Sequence, residues 1–176
     1  QGIREAVPGT EVYYTQGCPL TEGYETISYL KDFNDGKGIY VEFYNNNDLE
    51  GTPDATGYYD KALNFSTFGA WGFAEGISTD KISVRASGKF VAPFTGEMKY
   101  ALSSDNGYIF KINGEVHEES KGGMRRGFGF RRGVEYKSFN VVKGETYDIV
   151  IEYKRGTGNF AMLNADICER RLIEFD

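Results

Sequence analysis

The feature that most constrains the fold of this chain is a hydrophobic period of two. In "GIYVEFYN", residues 38 to 45, Ile39, Val41 and Phe43 fall on one side while Tyr40, Glu42 and Tyr44 fall on the other, the pattern of a half-buried strand. The same alternation groups Ile82, Val84 and Ala86, then Met98, Tyr100 and Leu102, then Tyr108, Phe110 and Ile112. Last comes Tyr147, Ile149, Ile151 and Tyr153, interleaved with Asp148, Glu152 and Lys154. Lys99, Lys111 and Glu152 take the outward phase. Glycine- and asparagine-bearing turns separate the runs: "DNG" at 105 to 107, "NG" at 113 to 114, "KGE" at 143 to 145 and "RGTGN" at 155 to 159. Many short strands with no amphipathic helix of useful length predict an all-β fold, an antiparallel β-sandwich. Only "QGIREAV" reads as the end of a helix, broken at Pro8 and followed by a strand, "TEVYYTQGC".

Charge excludes one class of partner. With 26 acids against 20 bases, the net charge of -6 repels a polyphosphate, so no nucleic acid is expected. "RRGFGFRRG", at 125 to 133, begins like the core of an RNA-recognition strand but places Arg131 and Gly133 where that strand needs apolar and aromatic residues. No apolar run is long enough to cross a bilayer, and no membrane is expected. The chain opens at Gln1, as an excised piece of a longer chain would.

Two stretches break the strand pattern and read as loops: 45 to 57, "NNNDLEGTPDATG", and 118 to 135. The second carries Lys121, Arg125, Arg126, Arg131 and Arg132 with Phe128 and Phe130. It is either a solvated tip whose arginines pair with Glu118, Glu119 and Glu135, or an arm donating hydrogen bonds to a ligand with a phenylalanine as stacking plate. "FSTFGAWGFAEG" holds the one tryptophan, Trp71, which either plugs the core or covers the apolar face of a sugar; Phe73 is the better candidate for exposure.

Catalytic and metal constellations are poor. His117 is the sole histidine, which excludes sites needing several. Asn46, Asp48 and Glu50 precede Gly51 as in a calcium loop, but Gly57 stands where a bidentate glutamate is required. Pairs such as Glu118 with Glu119, or Asp148 with Glu152, follow the outward phase and need no explanation beyond solubility. No catalytic residue and no metal ligand is assigned. Cys18 and Cys168 either form a disulfide, if the termini meet, or are separate thiols.

Three motifs in order name a family: "GIYVEFYN", "DKISVRASGKFVAPFTGEMKYALSSDNGYIFKINGEV" and "VVKGETYDIVIEYKRGTGNFAMLNADI". Together they resemble the protective-antigen-type (PA-14) domain from residue 38 to about 167. Residues 1 to 18 resemble the tail of the second domain of family 3 glycoside hydrolases, where such a domain is inserted. The resemblance implies host-enzyme sequence at 1–20, the sandwich at 21–170 and a return to the host at 171–176.

It implies a non-catalytic, carbohydrate-binding or active-site-capping insert of a β-glucosidase-like or β-xylosidase-like enzyme, secreted or periplasmic, shaping the outer sugar subsite. The partners implied are an oligo- or polysaccharide and the parent's catalytic domains. The alternatives are a structural or protein-interaction sandwich docking on host domains, and a calcium-dependent lectin. In lectin-like members two adjacent aspartates hold calcium; here the pair is Asp105 and Asn106, and replacing one anion by an amide weakens the attraction for a hard cation, so no cofactor is assigned. The candidate carbohydrate-binding residues are Phe73, Trp71, Asp105, Asn106, Arg125, Arg126, Phe128 and Phe130.

Overall fold

The computed structural model describes residues 24–67, 73–78, 80–122, 135–155 and 160–172. These form eleven strands: β1 (Tyr24–Ser28), β2 (Ile39–Tyr44), β3 (Ala55–Tyr59), β4 (Leu63–Ser66), β5 (Ser83–Val91), β6 (Gly96–Ser104), β7 (Asn106–Ile112), β8 (Glu115–Gly122), β9 (Lys137–Val141), β10 (Thr146–Lys154) and β11 (Met162–Leu172). One sheet is ordered β1-β11-β6-β9, with β4 lying on the same flank of β11 as β1; the other is β3-β2-β5-β10-β7-β8. Every registered pair is antiparallel.

The period of two sets which face is dry. Ile39, Val41, Phe43, Val84, Ala86, Ile149, Ile151 and Tyr153 on the six-stranded sheet have no exposed surface, and Met98, Leu163 and Ile167 meet them from the other sheet. Burying each such large side chain contributes about 1.5–3 kcal/mol, which fixes register, because a one-residue slip would turn the whole set to water. The outward phase carries paired charge instead: Arg85 lies 3.6 Å from Glu42 and 3.4 Å from Glu152, and Lys111 lies 2.8 Å from Glu152.

Three expectations are corrected. The stretch 45 to 57 is not all loop, since β3 begins at Ala55, and 118 to 135 is strand as far as Gly122. Glu118 is not an outward solubility group. Between Phe110 and Lys111 the β7–β8 register slips, so that Phe110 faces Glu118 while Lys111 faces Val116. The extra residue, His117, is a bulge that turns Glu118 to the inner side with Phe110.

The expected helix and strand at 1 to 18 lie outside the described residues, as does Cys18. Cys168 is a buried free thiol among the described residues, and burial, aided by the Asp166 carboxylate, pushes it up to about 12.

Candidate functional site

One end of the sandwich gathers the described flanks of the segments singled out in the sequence. β6 and β7 belong to different sheets, and a single residue, Asp105, carries the chain between them. Its carboxylate is held from several directions. Oδ1 accepts the Tyr153 hydroxyl at 2.9 Å and the Met162 backbone N–H at 2.7 Å, and the Asn106 side-chain amide donates to Oδ2. The Asp105 N–H returns a bond to the Met162 carbonyl at 3.3 Å. Burial, then the Asp105 bond, raises the Tyr153 phenol well above its ordinary value, so it stays a donor.

Met162 also lies beside the described start of the aromatic segment. It pairs with Ser66 at the end of β4, and the next residue, Thr67, donates its N–H to the Ala161 carbonyl at 3.0 Å. On the other flank, Asn106 pairs with Gly122, the last described residue before the arginine-rich segment. Asp105 and Asn106 are therefore brought beside the flanks of both segments. Trp71, Arg125, Arg126, Phe128 and Phe130 themselves lie outside the described residues.

Phe73 is described, whereas Trp71, with which its exposure is compared, is not. Phe73 is half-buried, stacked on Phe65 at 5.7 Å and edge-on to Phe43 at 6.5 Å, so it closes the core at this end and keeps only part of its ring toward solvent.

Beside it the asparagine run is spent on shaping its own loop. Asn45 Oδ1 accepts the Ser78 N–H at 2.6 Å, and Asn46 Oδ1 accepts those of Asp48 at 3.0 Å and Glu50 at 3.4 Å. Leu49, buried with φ 62°, is pinned by its N–H to Ser83 Oγ at 3.1 Å. Among the described residues no three His, Cys, Asp or Glu side chains cluster as a metal site.

Sequence reading missed a second polar centre. Glu118 Oε2 accepts the Tyr100 hydroxyl at 2.7 Å, and Oε1 accepts Tyr108 at 2.6 Å together with the Lys137 ammonium. Burial alone would raise this carboxyl, but the bonds from Lys137, Tyr108 and Tyr100 together outweigh it and hold it below the usual carboxylate range. These partners come from both sheets, so Glu118 closes the open side of the sandwich between β8 and β9. Only the bulge reveals this, and a strand bulge leaves no clear mark in sequence.

A family model, the PA14 domain, matches residues 35–165. A xylan 1,4-beta-xylosidase from Xylanibacter ruminicola is 29% identical over 109 residues, 60% of this chain and 13% of that protein. The fold is shared with a beta-glucosidase from Kluyveromyces marxianus at a TM-score of 0.61 and 18% identity, over 80% of this chain and 18% of that one. It is also shared with an anti-sigma factor domain-containing protein from Clostridium clariflavum at 0.51 and 22% identity, over 76% of this chain and 40% of that one. The chain thus spans a small fraction of the length of the two glycosidases.

Proposed function

The chain belongs to the PA14 domain family, and from that premise we propose that it is a non-catalytic carbohydrate-recognition module of a secreted or periplasmic glycoside hydrolase, contacting sugar at the Asp105 end and capping the parent's active site. The observation that carries the reading is the convergence at that end. The Asp105–Asn106 turn, the half-exposed edge of Phe73 and the flanks of the 68–72 and 123–134 segments meet around Met162. A turn held between the flanks of an aromatic-rich and an arginine-rich stretch of sequence suits neutral sugar, because such residues offer stacking for ring faces and donors for hydroxyls. Both glycosidases that resemble the chain are far longer than it, which supports a module within a larger enzyme.

The proposal does without calcium. Asp105 Oδ1 is already taken by Tyr153 and Met162, which leaves a cation only Oδ2, shared with the Asn106 amide, and a neutral amide as the other member of the pair. A second reading, a docking module that touches no sugar, is favoured by the packing of Phe73 into the core.

Titrating the labelled chain with glucose, cellobiose and xylobiose, with and without EDTA, separates the readings. Sugar recognition gives weak, EDTA-insensitive amide shifts at Asn106, Gly107 and Phe73 with the disaccharides. Tight binding abolished by EDTA would establish the lectin mode, and silence at these residues would favour docking.

A further inference from the structure

The outer face of the six-stranded sheet holds a feature that the loop-end reading leaves unused. Tyr40 on β2 and its registered partner Tyr58 on β3 both turn away from the core, with ring centroids 5.0 Å apart at 50°. Tyr58 is 53% exposed. Ser87 on β5 and Val150 on β10 continue the same row across the sheet. Together they floor a depression of about 720 Å³ that extends to Val91 and Thr146, toward the end of the sandwich opposite Asp105.

This trough has a fixed wall. Asn34, on the turn at 32 to 37, donates to the Gly38 carbonyl at 2.9 Å and accepts the Lys89 N–H at 3.2 Å, so the turn is tied to β5. Its exposed Asp32, Asp35 and Lys37 side chains stand at the rim. The charges on the face nearly cancel: Lys89 lies 3.9 Å from Asp148, Arg85 is paired with Glu42 and Glu152, Lys111 with Glu152, and Asp32 and Asp35 against Lys37 leave one net negative charge at the rim. So small a net charge gathers a charged ligand only weakly. Two tyrosine rings flanked by polar groups suit a neutral ligand with flat C–H faces and many hydroxyls.

We propose that this trough is a second carbohydrate-binding surface, taking an extended neutral oligosaccharide that crosses the strands with one sugar on the Tyr40–Tyr58 pair. From β3 to β10 the strand spacing gives a run of about 14 Å, room for a short chain rather than a single ring. The surface rests on its own residues, from the middle of the sheet toward the end away from Asp105, and does not depend on the loop-end site.

The test is titration of the ¹⁵N-labelled 176-residue chain with xylohexaose and with cellohexaose. Amide shifts are expected at Tyr40, Tyr58 and Ser87 with at least one of them. Tyr58→Ala, at an exposed position on an edge strand, weakens that binding roughly tenfold, while Tyr58→Phe keeps the ring and the affinity. Asn106→Ala leaves these shifts in place. Shifts absent from this face with both probes, or an unchanged affinity in Tyr58→Ala, would overturn the proposal. Silence at Asn106 and Gly107 counts separately, against the loop-end reading alone.

Discussion

The Tyr153 hydroxyl donates to Asp105 Oδ1 at 2.9 Å, tying the end of β10 to the one-residue turn through which the chain changes sheets. Because Met162 bonds the same oxygen, the bond also fixes the start of β11 against that turn.

Tyr153→Phe keeps the buried ring and removes only the donor. The loss expected is about 1.5–3 kcal/mol, the range for a hydrogen bond to a charged group, read as a lower urea midpoint with an unchanged slope. The amides of residues 105 to 107 shift at the same time. A midpoint equal to that of the unaltered chain would mean that the tie contributes nothing.

Glu118 predicts a specific acid sensitivity. Its folded-state pKa lies below the ordinary value, so its stabilisation is fully present above about pH 4.3 and is lost as pH falls through the lower folded value. Glu118→Gln should therefore be less stable near neutrality and lose less on acidification. Glu152, held low in the same direction by Lys111 and Arg85 against its own burial, keeps some acid dependence in the variant. Urea midpoints between pH 3 and 7 check this; parallel curves for the two proteins would contradict it.

Phe73→Ala distinguishes a core plug from a sugar plate. The ring is wedged against Phe65 and Phe43 but only half-buried, so truncation should cost roughly 1–2 kcal/mol, less than for a fully buried phenylalanine. An unchanged melting temperature with weaker sugar binding would make Phe73 a ligand contact only.

Gly38 and Gly36 form a matched pair. Both have positive φ, 97° and 83°, but a Cβ on Gly38 would lie 2.4 Å from the Tyr59 carbonyl oxygen, whereas one on Gly36 meets nothing within 4 Å. Gly38→Ala should therefore destabilise by well over about 1 kcal/mol, and by clearly more than Gly36→Ala. Equal losses would show that backbone strain, not the close approach of β3, dominates at both positions.

The central strands β2, β5, β6, β7 and β10 were legible because they differ sharply between faces. Tyr147, Ile149, Ile151 and Tyr153 all point inward, as the alternation requires. β3 was hidden because its inward positions include the small residues Ala55 and Gly57, which give no hydrophobic contrast. The inward turn of Glu118 was hidden because β8 is a charged edge strand whose bulge at His117 breaks the alternation. At the site, the motif around Asp105 and Asn106 could be read, but its neighbours could not. Thr67, Gly122, Tyr153 and Met162 reach it only through long-range strand pairing.

The proposed capping role is tested most directly in the full-length protein, by replacing residues 123 to 134 with a short Gly-Ser linker. The replacement stops short of Glu118 and Lys137, so the polar clasp between the sheets is kept. The capping proposal predicts that the kcat/KM ratio for long over short oligosaccharides rises, because a cap over an active site admits short chains and hinders long ones. An unchanged ratio, in an enzyme with unaltered melting temperature, would contradict the account.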